Sequence, residues 1–157
     1  ALAAESVHSD RPVPFLADSR SFSDDYTGAI RKINDREALR LCGREWVGDE
    51  PVPLEDTERA AAELSARWGT TLFLTRGPRG ILVQERGAAQ VVPGLQMLGR
   101  TDAVGAGDSA LAGIAAGLAA GRGARGADRG QKLATALHRL IHRLVLSRQR
   151  EIRESFR

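Results

Sequence analysis

The sequence predicts an α/β fold, a layered sheet flanked by helices. Two observations carry this. Short apolar runs rich in β-branched and aromatic residues, such as TTLFLT (70–75), have the length of buried strands. Between them lie segments with apolar residues at helical spacing, as at Ala60, Ala61, Leu64 and Trp68. Strands interleaved with helices build layered sheets, and ligands are expected where the strands run into helices.

Taken in order, PVPFLA (12–17) reads as a buried strand with a polar exit at Asp18, Ser19 and Arg20. AIRKI (29–33) alternates as a strand does, and Asn34 then opens a short helix, NDREALRL. The Gly- and Pro-containing loop GREWVGDEPVP leads to a second helix over about residues 54–68, which Gly69 stops. After the strand TTLFLT, the run GILVQERGAAQVV reads as a hairpin turning at Arg86-Gly87. The next helix carries Leu111, Ile114, Ala115 and Leu118 on one apolar face. GRGARGADRG (121–130) is a loop. A last helix over about residues 131–150 has its stripe at Leu133, Leu137, Leu140, Ile141 and Leu144.

At 157 residues the chain is long enough for one domain with a real core. Hydrophobic residues make up 42% and charged residues 27%, which suits a globular rather than a disordered protein. Cys42 is the one cysteine, so no internal disulfide forms, which fits a cytoplasmic location. The apolar run 110–120 is too short to span a membrane, and ALAAES lacks the features of a signal peptide. The first residue is not Met, so the chain is expected to begin partway through a longer protein. His8, His138 and His142 have no metal-ligand spacing with Cys42.

The net charge of +3 hides an asymmetry: residues 121–157 hold ten Lys/Arg against three Asp/Glu, and the preceding residues carry a net −4. A basic tail can bind polyanions. Phe156 is its only aromatic residue, so no stacking platform is interleaved with the charges and nucleic acid is not the expected partner.

Three glycine patterns compete as phosphate loops. GRGARG (121–126) matches a dinucleotide fingerprint but follows a helix rather than a strand. GAGDSA (105–110) matches its relaxed form, yet no second strand with an acidic residue follows it, and Asp108 would face the pyrophosphate. No Gly-Lys-Ser/Thr is present, so a P-loop is excluded. A carboxylate behind a glycine turn is misplaced for simple anion binding, and it has a use in phosphoryl transfer to an alcohol. Gly105 and Gly107 let backbone N–H groups approach the phosphate. Asp108, opening the helix, accepts the hydroxyl proton.

DAVGAGDSALAG (102–113) resembles the C-terminal signature of the PfkB, or ribokinase-like, carbohydrate kinases, with Ala103 and Val104 in place of two usual threonines. NDRE (34–37) is similar to the family's Asn-x-x-Glu motif, although Asn34 and Glu37 also satisfy the pattern of a helix capping box, which needs no ligand. LTRGPRG (74–80) resembles the Thr-x-Gly-x-x-Gly that lines the nucleotide site at a strand end.

The resemblance spans residues 12–121 and implies the C-terminal half of a ribokinase-like sheet, truncated at its N-terminus. It implies ATP-dependent phosphorylation of a sugar or sugar phosphate, with Asp108 as base and Gly105, Ala106 and Gly107 around the transferred phosphate. Asn34, Thr75, Gly77 and Gly80 would serve the nucleotide, and Glu37 magnesium (Mg2+) through water. Asp102 matches a monovalent-cation position in some relatives. Residues 1–126 would form the nucleotide-binding and catalytic half, and 127–157 a basic helix packed on it or partly free. The expected partners are the sugar and either a second copy of the chain or the missing N-terminal half. A catalytically silent nucleotide- or polyanion-binding module and a dinucleotide-binding domain remain as alternatives. The isolated chain is expected to be a poor sugar kinase, because the sugar-holding groups of such enzymes belong to the N-terminal half.

Overall fold

The computed structural model describes residues 2–3, 14–94 and 105–120, which belong to two compact units, residues 1–94 and 95–157. In the first unit the chain forms β1 (Leu2–Ala3), β2 (Leu16–Ala17), β3 (Tyr26–Thr27), β4 (Ile30–Asn34) and α1 (Asp35–Leu41). It continues through α2 (Leu54–Trp68), β5 (Leu72–Thr75), β6 (Ile81–Glu85) and β7 (Ala88–Val92), with 3-10 turns at Ser23–Asp25 and Gly77–Arg79. Five strands make one sheet in the order β2-β4-β5-β6-β7. β2, β4 and β5 are parallel, and β6 and β7 extend the sheet antiparallel. The expected layered α/β architecture is therefore present.

α1 and α2 form the crossover between the parallel strands β4 and β5 and cover one face of the sheet. Ile33, Leu72, Leu74 and Leu82 from the strands pack there with Ala38 and Leu39 of α1, and with Ala60, Ala61 and Leu64 of α2. α2 matches its expected limits, and Gly69 ends it in the left-handed region at φ 64°, with its N–H donated to the Ser65 carbonyl. The hairpin turn also falls where expected. Arg86 (φ 50°) and Gly87 (φ 81°) both take positive φ, the geometry that matches the twist of a two-residue hairpin loop. On the other face of the sheet Phe73, Ile81, Val83 and Val92 are buried.

β4 is polar in sequence yet buried at three consecutive positions, Arg31, Lys32 and Ile33. Arg31 donates to the carbonyls of Ser23, Ala29 and Tyr26, and its guanidinium lies 4.3 Å from the Trp68 ring centroid. Burial pushes its pKa below the ordinary arginine value, opposed by Asp24. Lys32 Nζ pairs with Asp18 Oδ2 at 2.6 Å. The two buried cations of β4 thus have their partners.

Several expectations are corrected. The strand over 12–17 is confined, among the described residues, to Leu16 and Ala17, since Pro14 has no N–H for a ladder and Phe15 contributes only its carbonyl, to Ile30. The strand over 70–75 starts at Leu72, because the Thr70 carbonyl is taken by the Ser65 hydroxyl. β1 and β3, paired in a separate two-stranded ladder, were not expected, being too short to carry a periodicity.

In the second unit, α3 (Ala106–Ala120) begins two residues before Asp108, which therefore stands third in the helix rather than opening it. Its buried positions are Gly113, Ile114 and Gly117, with Leu111 and Leu118 half-buried, whereas Ala115 is exposed. The apolar face is rotated from the expected one toward the two glycines. The loop over 121–130, the last helix and the basic tail lie outside the described residues.

Candidate active site

The C-terminal ends of β4 and β5 lie side by side at one end of the sheet, inside its edge strands. Asn34 ends β4 and is in register with Thr75, which ends β5. Thr75 Oγ1 donates to the Ile33 carbonyl at 3.4 Å. From Asn34 the chain turns directly into α1, and the turn is a complete capping box. Glu37 N–H donates to Asn34 Oδ1 at 2.7 Å, and Asn34 N–H donates to Glu37 Oε2 at 2.9 Å. Glu37 Oε1 takes part in no hydrogen bond among the described residues. Asn34, Glu37 and Thr75 are thereby brought together, where the ends of parallel strands offer a ligand site.

Beyond Thr75 the chain closes a tight turn. Arg76 N–H donates to the Gly80 carbonyl at 2.8 Å, and Gly80 N–H donates to the Gly77 carbonyl at 3.1 Å. Gly77 (φ 58°) and Gly80 (φ 96°) take the conformations that favour glycine. Their surroundings differ. Gly77 is exposed, and a Cβ on it would meet nothing within 4 Å. Gly80 is buried, and its Cβ would lie 2.0 Å from the Val92 carbonyl oxygen. Gly77 leaves room for a ligand. Gly80 serves the close approach of the turn to the chain after β7.

Three charged residues at this end of the sheet escape a reading of the sequence. Asp35 and Arg79 form an ion pair, Nη2 to Oδ2 at 2.9 Å. The Val52 carbonyl accepts from Arg79 Nη1 and, at 3.5 Å, from Arg76 Nη2. Arg76 is 6% exposed, and its Nε is buried with no hydrogen-bond partner among the described residues. Burial pushes its pKa below the ordinary value, Arg79 adds to the shift, and Asp35 and Glu58 oppose it. The available signal was the spacing of the two arginines in RGPR, three apart around a Gly-Pro turn. Charged residues in a turn ordinarily read as solvated.

The remaining candidates belong to the second unit. Gly105 takes φ 77° and accepts the first helical bond of α3, from Ser109 N–H at 2.9 Å. The N–H groups of Ala106, Gly107 and Asp108 precede that bond and have no carbonyl partner within the helix. A Cβ on Gly105 would meet nothing within 4 Å, and Asp108 is exposed. An anion can reach these N–H groups, with a carboxylate in the same turn. Asp102 lies outside the described residues.

A family model described as pfkB family carbohydrate kinase matches residues 27–138, a stretch that holds every candidate above. The chain belongs to the pfkB family of carbohydrate kinases. No curated protein matches the sequence. Among solved structures, ribokinase from Giardia lamblia is similar with a TM-score of 0.60 at 19% identity, over 81% of this chain and 42% of that one. Ribokinase from Cryptococcus neoformans var. grubii serotype A, in complex with ADP, gives a TM-score of 0.57 at 20% identity, over 82% and 46%. Phosphofructokinase-2 from Escherichia coli, in complex with potassium, gives 0.59 at 20% identity, over 80% and 39%. The chain thus spans less than half the length of each. These similarities establish a ribokinase-like fold.

The capping box bears on whether the magnesium ion expected from the sequence would fit here. Magnesium keeps several of its waters and takes one or two carboxylates together with substrate phosphates. Glu37 fits that pattern through Oε1, while Oε2 holds the helix. Among the described residues no group of three or more His, Cys, Asp or Glu could form a closed metal cage. Nor is any described helix long and apolar enough to cross a membrane.

Proposed function

We propose that this chain takes part in ATP-dependent phosphorylation of a hydroxyl on a sugar or sugar phosphate, with residues 1–126 carrying the nucleotide-binding and catalytic groups. The observation that carries the reading is the pairing of Asn34 with Thr75 at the ends of adjacent parallel strands, one leading directly into α1 and the other into the glycine turn at Gly77–Arg79. A ribokinase of the same fold in complex with ADP supports a nucleotide as the ligand. In this assignment Asn34, Thr75 and Gly77 form the nucleotide side, and Gly80, buried against the chain after β7, seats the turn that carries Gly77.

Glu37 would hold a magnesium ion through its waters, and the ion when bound would neutralise phosphate charge. Asp108 accepts the proton of the attacking hydroxyl while the new oxygen–phosphorus bond forms and the bond to the leaving diphosphate breaks. The N–H groups of Ala106 and Gly107, preceded by the flexible Gly105, face the charge that develops on the transferred group. Asp102 is assigned to a monovalent cation, which the potassium complex of phosphofructokinase-2 supports.

The test is calorimetric titration of the protein with ATP at fixed magnesium. Micromolar to millimolar binding is expected, with losses in Asn34→Ala and Gly107→Val. Absence of binding by the unaltered protein overturns the reading. Glu37→Gln separates the two uses of that side chain. Glutamine also completes a capping box, so the melting temperature should stay nearly unchanged while the magnesium requirement rises. Asn34→Ala removes the cap itself and should cost about 1 kcal/mol of stability. An unaltered magnesium midpoint in Glu37→Gln would leave Glu37 as a cap alone.

A further inference from the structure

The hydrogen-bonded ladder holds Asn34 beside Thr75, and beyond those residues the two connections diverge, one into α1 and the other into the turn at Gly77–Arg79. Among the described residues, the backbone bonds of the turn close it on itself and tie it to nothing else. On one side it is seated against the chain after β7, where Gly80 and Gly94 approach without room for a side chain. On the other side the contact is Arg79. Its Nη2 donates to Asp35 Oδ2 at 2.9 Å, and its Nη1 donates to the Val52 carbonyl. The Asp35 side chain is 10% exposed and that of Arg79 32%. A partly desolvated pair with a second bond from the same guanidinium fixes geometry in a way that an exposed pair does not.

Sequence position gives this pair its meaning. Asp35 lies between Asn34 and Glu37, and Arg79 lies between Gly77 and Gly80. We propose that Asp35 and Arg79 are a positioning pair that sets the spacing between the Asn34–Glu37 corner and the Thr75–Gly80 turn, so that magnesium and nucleotide are received in one geometry. This rests on the functional reading above. The Val52 carbonyl serves as the fixed point, since it receives both Arg79 and Arg76 and belongs to a residue only 1% exposed. Asp35 is also the carboxylate that offsets Arg76, so removing Asp35 would disturb two guanidiniums. Arg79 is therefore the cleaner residue to change.

The test uses the full-length protein with Arg79→Gln and Arg79→Lys. Three quantities are measured: the melting temperature, the affinity for a non-hydrolysable ATP analogue at saturating magnesium, and the magnesium midpoint of that binding. Arg79→Gln should weaken analogue binding about 10-fold and raise the magnesium midpoint with it, as loss of a group that orients a binding residue does. Arg79→Lys keeps the charge facing Asp35 and loses the fork, so it should recover part of both. If Arg79→Gln does not fold, the graded loss in Arg79→Lys carries the test. Lowered melting temperatures with affinity and midpoint unchanged would make the pair merely structural and overturn the proposal. Absence of binding by the unaltered protein overturns the functional reading and this one with it. Normal binding by both variants overturns the positioning role alone.

Discussion

In a complete kinase that holds the sugar as well, Asp108→Asn is expected to cut turnover by about 10²–10⁴-fold and to leave ATP affinity nearly intact, the usual signature of a lost acid–base group. The substitution keeps size and shape at the third position of α3 and removes the ability to take a proton. Asp108 is exposed, so no packing is lost. Its charge favours the N-terminal turn of the helix, and losing it should cost about 0.3–1 kcal/mol of stability, a small change in melting temperature. Nucleotide binding should hold or tighten slightly, because a negative charge beside a phosphate opposes the ground state. Steady-state turnover, nucleotide titration and a melt on the same preparation separate these effects. Unchanged turnover removes Asp108 from the role of base. A fall in turnover matched by an equal fall in affinity would make it a phosphate-site residue instead.

What could be read from the sequence, and what could not, divides by the distance over which the cause acts. Gly69 ends α2, Arg86-Gly87 turns the hairpin and Asn34 caps α1 through Glu37, all within a few residues of one another. The order of these elements is legible too, but that Asn34 and Thr75 end neighbouring strands is a matter of sheet order, which the structure supplies. The buried cations were not legible. Arg31 is satisfied by carbonyls of the 23–29 segment and by Trp68, and Arg79 by Asp35, 44 residues away. Such partners leave no periodic trace, so AIRKI reads only as a strand and RGPR only as a turn, with nothing to mark their charges as buried. The rotation of the apolar face of α3 has a related cause. Glycine contributes no apolar side chain to a periodic pattern, so a face that buries Gly113 and Gly117 is counted from its larger neighbours and misplaced.

The close approach of Gly80 to the chain after β7 sets the second large effect. Gly80→Ala should destabilise the protein by about 3–5 kcal/mol, the combined scale of a strained backbone and an overpacked contact. Two terms add at this position. At φ 96° an L-residue is strained wherever it stands. The new methyl would also lie 2.0 Å from the Val92 carbonyl oxygen and 2.5 Å from Gly94 N, which are backbone atoms and cannot swing aside as a side-chain tip could. To relieve the clash the turn must move off the end of β7. That movement would carry Arg79 away from Asp35 and Gly77 away from Thr75. Gly77→Ala is the control. It has positive φ too, but its Cβ would enter open space, so about 1–2 kcal/mol of backbone strain should be its whole cost. Urea denaturation of both variants gives the two values directly. A Gly80→Ala variant no less stable than Gly77→Ala would mean that residues 92–94 yield freely. The turn would then be held by Arg79 and its own hydrogen bonds, and its position against β7 would not matter to the end of the sheet where Asn34 and Thr75 lie side by side.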